Sequence, residues 1–131
     1  MFMVCLILLA QSMTTSAEII HLPTIEIPTG AAAIHNQPLA ASKHSSSFLL
    51  TIDAVVPNHY HQYHTEQIYV LEGTARMRLA NEERTIQPGD YLLIPPGTVH
   101  GVIEITSKKP LKVLSIQSPR FDPSDRIMVP D

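Results

Sequence analysis

The sequence predicts an all-β domain, a sandwich or a barrel. Eleven prolines cut the 131 residues into short pieces, and no piece carries a long apolar period of 3.6 residues. Apolar, β-branched runs recur between turn residues instead, and short strands spaced in this way build sandwiches and barrels. The length is that of one ordinary domain, enough to bury a single core. Apolar residues make up 44% and charged residues 16%. That excludes a disordered chain, which lacks the apolar surface to offset backbone entropy. The net charge is −3, and the nine Lys and Arg are scattered, Lys108-Lys109 being the only adjacent pair. Nucleic-acid binding needs a clustered basic footprint, so no nucleic-acid partner is predicted.

The first ten residues, MFMVCLILLA, are wholly apolar. A bilayer span takes about 20 such residues, so no stable membrane span is expected. Two readings fit residues 1–17. One is a secretory signal cut after Ala17, with small residues before the cut. The other, suggested by the lack of Lys or Arg ahead of the run, is a start called too early, with Met13 as the true first residue. The protein is secreted or periplasmic under the first reading and cytoplasmic under the second. Cys5 lies in this run and is the only cysteine, so the rest of the chain can hold no disulfide framework, CxxC site or cysteine nucleophile.

Residues 18–46 read as an N-terminal arm or edge strand, because Pro23, Pro28 and Pro38 remove ladder donors. Within it, Ala31 to Ser47 carries little strand signal. Residues 47–131 read as the barrel with a C-terminal tail. FLLTIDAVV is a strand candidate ended by Pro57, and QIYVLEG is a second, closed at Gly73. In TARMRLA, Ala75, Met77 and Leu79 share one face and Arg76 and Arg78 the other, a half-buried strand with a wet outer side. NEE makes a turn. RTIQPGDYLLIPPG gives a strand, a turn and another strand, and TVHGVIEIT and PLKVLSIQS complete about seven in all. The tail, SPRFDPSDRIMVPD, is expected to be extended or turn-like, anchored by Phe121.

The chemistry concentrates between residues 59 and 100. His59 and His61 form a His-x-His pair. On a strand they share one face, about 6.5–7 Å apart at the backbone, and can converge on one ion. Glu66 follows past a tight turn and can face them from the neighbouring strand. His100 follows the stiff segment Pro95-Pro96-Gly97, and in a closed barrel its strand can cross back beside them. Three imidazoles and a carboxylate suit one divalent transition metal, whether Mn, Fe, Co, Ni, Cu or Zn.

HYHQYHTEQIYVLEG has the form H-x-H-x4-E-x6-G, and GDYLLIPPGTVH the form G-x5-P-x-G-x2-H. The chain here resembles the cupins: the two stretches match the family's first and second motifs at eight fixed positions, with fifteen residues between Gly73 and Gly89. Asp53 stands where the first motif usually opens with Gly, and Glu104 where the second usually ends with Asn. The resemblance implies a jelly-roll-like barrel or sandwich of two antiparallel sheets. It also implies a metal inside, held by His59, His61, Glu66 and His100, and a pocket at one mouth. A homodimer paired through sheet edges and arms is implied too, with residues 19–27 as the exchange segment.

The family includes dioxygenases, decarboxylases, sugar-phosphate isomerases, lyases and non-catalytic binders, and fold alone does not select among them. The first expectation is a metal-dependent enzyme acting on a small oxygenated metabolite, a sugar or an organic acid. Glu104, Tyr63 and His64 are weak candidates for acid or base, with His64 expected at the rim or behind the ligands. The alternative is a binding module that holds a small ligand without turnover. A pocket lined only by apolar residues around the metal favours binding, and a second polar cluster favours catalysis.

Overall fold

The structure, a computed structural model, describes residues 16–130. The expectations for residues 1–15 fall outside them. The described chain is all-β, with ten strands: β1 (Ile34–Ala41), β2 (Ser46–Ile52), β3 (Val56–Tyr60), β4 (Thr65–Glu72), β5 (Ala75–Leu79), β6 (Glu82–Ile86), β7 (Tyr91–Ile94), β8 (His100–Ile105), β9 (Leu111–Ser118) and β10 (Ile127–Met128). They form two five-stranded sheets, ordered β1-β2-β9-β4-β7 and β10-β3-β8-β5-β6. Every pairing is antiparallel. Among the described residues no helix is long and apolar enough to cross a membrane.

The core lies between the sheets and is filled by the inward side chains of strands that alternate, while β2 buries residues of both parities. Strand β9 alternates strictly, with Leu111, Val113, Ser115 and Gln117 buried and their neighbours half-buried. Ile68 and Val70 of β4, Leu92 and Ile94 of β7, and Met77 of β5 meet Leu111 and Val113 in one cluster. Each such aliphatic side chain contributes about 1.5–3 kcal/mol on leaving water. Arg76 faces outward and pairs with Glu104 (3.5 Å) and Glu83 (3.8 Å), all well exposed, as the alternation of β5 predicts.

Two elements differ from the expectation. FLLTIDAVV is not one strand: β2 ends at Ile52, and the chain changes sheets before β3 resumes at Val56. The crossing is pinned by Asp53, whose amide donates to the Ala33 carbonyl at 2.8 Å. Pro57 therefore lies inside β3, where the pairing with β8 shifts register between Val56 and His59. Such an irregularity is where a missing ladder donor is tolerated. The second difference is β1, eight residues long despite its weak signal. It is an edge strand, paired along β2 with a register shift between Pro38 and Ala40.

Gly73 ends β4 with φ +78°, and a Cβ there would come within 2.9 Å of the Leu111 Cα. Gly89, with φ +93°, has open space around it. A non-glycine residue forced to positive φ costs about 1–3 kcal/mol. Gly89→Ala should show that conformational cost alone, while Gly73→Ala adds a backbone clash and should lose clearly more. Urea denaturation of the two variants checks this, and equal losses would rule out the close approach to β9 as the cause.

Candidate metal centre

His59 sits on β3 directly opposite His100 on β8, as register partners across the ladder. Their rings lie 4.3 Å apart between centroids. His61 lies just past the end of β3, and its ring is 5.2 Å from that of His59 and 5.3 Å from that of His100. All three histidines are buried, and one ring nitrogen of each lies within 4.8 Å of the other two. Glu66 reaches the group from β4 in the facing sheet. Its Oε2 is 3.1 Å from His100 Nε2 and 3.4 Å from His61 Nε2. The barrel thus brings together His59, His61, Glu66 and His100.

Hydrogen bonds set the state of each group. The Nδ1 atoms donate to main-chain carbonyls: His59 to Pro57 at 2.8 Å, His61 to Asp125 at 2.7 Å and His100 to Thr98 at 2.9 Å. That tautomer leaves the lone pair on Nε2, the arrangement that second-shell carbonyls impose on metal-ligating imidazoles. Ser115 Oγ donates to Glu66 Oε1 at 2.6 Å, leaving Oε2 for the histidines. A lone pair on His100 Nε2 facing a carboxylate oxygen is repulsive unless a proton or a cation lies between them. The donor set of three neutral imidazoles and one carboxylate fits a divalent transition metal.

Burial and the carboxylate pull the groups in different directions. Burial pulls the His59 pKa down to about 4, opposed by its bond to the Pro57 carbonyl and reinforced by the charges of His100, Arg126 and His61. Burial also disfavours charge on His61, but Glu66 and the Asp125 carbonyl outweigh it and raise the pKa. For Glu66, burial alone would raise the value. Its contacts with His100, His61 and Ser115 overcome that and hold it well below the usual carboxylate range.

The sequence reading missed Asp125, which organises the loop carrying His61. Its carboxylate accepts from the Gln62 amide (2.8 Å), the Tyr63 amide (2.9 Å) and His64 Nδ1, and its carbonyl takes His61 Nδ1. Burial opposes its charge, but the Tyr63 amide, His64 and the Gln62 amide keep its carboxyl below the usual range. The Gly97 amide holds the His61 carbonyl from the other side, at 2.7 Å. Phe121 packs edge-on against Phe48 at 5.6 Å and its amide donates to Ser46 Oγ at 2.9 Å, which anchors the returning tail. The available signal was the turn sequence DPSD, where Asp122 caps Ser124.

The three weak acid or base candidates are not brought to the cavity. His64 is buried rather than at the rim, with one ring nitrogen on Asp125 and the other 2.9 Å from the Arg120 carbonyl. Tyr63 is 70% exposed. Glu104 points outward to Arg76. A cavity of about 470 Å³ opens beside the histidines. Its walls include Leu50, Ile52, Met77, Ile86 and Val102, with Asn36, Gln117 and Arg126 as polar members.

The cupin domain family matches residues 48–117, more than half of the chain. The chain is a cupin. Among curated relatives, the quercetin 2,3-dioxygenase of Bacillus subtilis is 37% identical over 47% of this cupin and 20% of its own length. An uncharacterized protein of Aquifex aeolicus is 33% identical over 64% of this cupin and 68% of its own length. This cupin therefore spans only a fifth of the dioxygenase. Among solved structures, that of KdgF from Halomonas sp. superposes with a TM-score of 0.69, covering 82% of this cupin and 97% of that chain at 24% identity, a likeness of fold.

The His59 shift has a definite sign. With a folded pKa near 4 against an ordinary 6.5, the unfolded chain binds the extra proton between those values. Metal-free protein should therefore lose stability as pH falls from 6.5 towards 4, by about 3 kcal/mol at most. The raised His61 is stabilising throughout that window and loses its contribution only at higher pH. The depressed Glu66 adds its own loss below about pH 4.5. Denaturant titrations at several pH values should show the slope flattened in His59→Gln, and an unchanged slope would reject His59 as its source.

Proposed function

We propose that this cupin is a metal-dependent enzyme acting on a small oxygenated metabolite, a sugar or an organic acid. His59, His61, His100 and Glu66 hold one divalent transition metal in this reading. One observation carries it: every ligand imidazole has its Nδ1 tied to a carbonyl, so that Nε2 is left for an ion beside a carboxylate held ionised. A divalent ion held there supplies Lewis-acid polarisation of a substrate oxygen.

The chain's own residues do the rest. Ser115 orients Glu66, and Asp125 and Gly97 fix His61 from its ring and its backbone. The apolar walls and Phe121 surround the cavity beside the ligands with low-polarity surface, which strengthens electrostatic interactions within it. The reaction type stays with the class: isomerase, decarboxylase, lyase or dioxygenase. The kinship with a quercetin 2,3-dioxygenase brings a flavonol with dioxygen into the substrate screen.

A non-catalytic binder is the second reading, favoured by one observation: Tyr63, His64 and Glu104 all lie away from the cavity. Against it stand the polar side chains of Asn36, Gln117 and Arg126 on the lining.

Untagged protein should carry close to one transition-metal ion per chain by mass spectrometry, and His61→Ala/Glu66→Ala should carry none. Wild type that stays empty after reconstitution would sink the metalloenzyme reading. A loaded wild type that turns over no sugar, sugar acid or flavonol would leave the binder.

A homodimer belongs to the same proposal. The arm leaves Ile19, Ile20 and Ile27 exposed, and apolar side chains of that size on an extended segment are candidates to pack on a second copy. Light scattering at micromolar concentration should give twice the chain mass, and a monomer would reject the exchange of arms.

A further inference from the structure

The inner face of β9 turns from apolar to polar along its length: Leu111, Val113, Ser115, then Gln117. Ser115 is engaged by Glu66. Gln117 is only 7% exposed, lines the cavity, and its Oε1 meets no donor among the described residues. A buried polar atom left unmet costs about 1–3 kcal/mol, and a ligand group entering from the cavity would remove that cost. Gln117 is the register partner of Glu66 across β4 and β9, which sets its amide beside the ligand cluster. The oxygen and nitrogen of an amide exchange places by a flip. A hydroxyl, at once donor and acceptor, answers either orientation.

A second observation lies at the mouth. Arg126 is exposed there, lines the same cavity and makes no ion pair or hydrogen bond among the described residues. It is the only Lys or Arg on the lining. One guanidinium offers two parallel donors that match a carboxylate, and no Lys or second Arg stands on the lining to share a phosphate dianion. Apart from the histidines, Glu66, Asn36, Gln117 and Arg126, the lining is apolar, which suits a carbon skeleton carrying polar groups.

We propose that the cavity binds a small hydroxycarboxylate, its carboxylate on the Arg126 guanidinium and a hydroxyl on the Gln117 amide. The proposal deepens the enzyme reading and rests on it for the chemistry, not for the binding. Asn36 on β1 stands on the same lining and is free to take a further hydroxyl.

Isothermal titration calorimetry on metal-loaded protein tests it, with glycerate and gluconate as probes. Glycerol and glucose lack the carboxylate, butyrate and hexanoate lack the hydroxyls, and glycerol 3-phosphate and glucose 6-phosphate replace the carboxylate with phosphate. At least one hydroxycarboxylate should bind roughly tenfold or more tightly than its three counterparts. Arg126→Gln should remove the advantage over the uncharged polyol and leave the polyol unaffected. Gln117→Leu should remove the advantage over the plain acid, and Gln117→Asn should remove part of it should the leucine variant not fold. Metal content by mass spectrometry should not change in these variants.

In His61→Ala/Glu66→Ala the Arg126 effect should persist, and its loss there would put the carboxylate on the metal and overturn the assignment. Failure of both hydroxycarboxylates to bind below about 10 mM, tighter binding of the phosphates, or indifference to Arg126→Gln would overturn it as well. An empty metal site with Arg126-dependent binding intact would defeat the enzyme reading while leaving this one standing.

Discussion

The geometry of the site depends on one side chain outside it. Asp125 accepts the Gln62 and Tyr63 amides and the His64 ring through its carboxylate, and the His61 ring through its carbonyl. His61 lies just past the end of β3, where no ladder fixes it, so its direction is set by this anchor and by the Gly97 amide. A buried carboxylate is tolerated because its lone pairs meet main-chain amides and an imidazole rather than apolar carbon. The tail that delivers it is itself held by Phe121 on Phe48 and by β10 on β3. Ligand positioning, loop shape and tail docking are thus one network.

The two sheets contribute unequally to the histidine–glutamate cluster. His59 and His100 are neighbours on the β3–β8 ladder, and His61 continues from β3. Glu66 comes from the other sheet, backed by Ser115 on the adjacent strand. The cluster therefore spans the space that the apolar core fills elsewhere. Ile68, Val70, Leu111 and Val113 of one sheet share a core with Met77, Ile86 and Val102 of the other, which fixes the distance between the sheets, and with it the distance from the carboxylate to the imidazoles. Packing density and ligand geometry are set by the same residues, and a core that relaxed by a fraction of an ångström would be felt at the site.

Much of this was legible in the sequence. The spacing of His59, His61, Glu66 and His100 survives folding because each interval is set by local structure. His59 lies at the end of β3 with His61 one residue beyond the strand, a tight turn leads to β4, and a stiff Pro-Pro-Gly segment precedes β8. The positive φ at Gly73 and Gly89 was readable for the same reason. What could not be read depends on partners far along the chain. The change of sheet at Asp53 is decided by pairing with β9 and β8, not by the apolar run FLLTIDAVV. Strand β1 exists because β2 offers it an edge. Asp125 lies 61 residues from His64, in a tail without periodicity. Gln117 was nearer to hand: in L-x-V-x-S-x-Q the inward parity is plain, but only the register opposite Glu66 shows what a polar residue at its end would face.

The division of the proposed ligands between two sheets has a thermodynamic corollary. An unfolded chain presents at most the local His-x-His fragment, since Glu66 and His100 meet it only when β4 and β8 are in place. Any ion that needs the full set binds the native state alone, and by mass action each tenfold rise in its free concentration above the dissociation constant deepens the native well by about 1.4 kcal/mol. The supply of a trace element would then govern how often the barrel opens, and so how long the molecule survives among proteases.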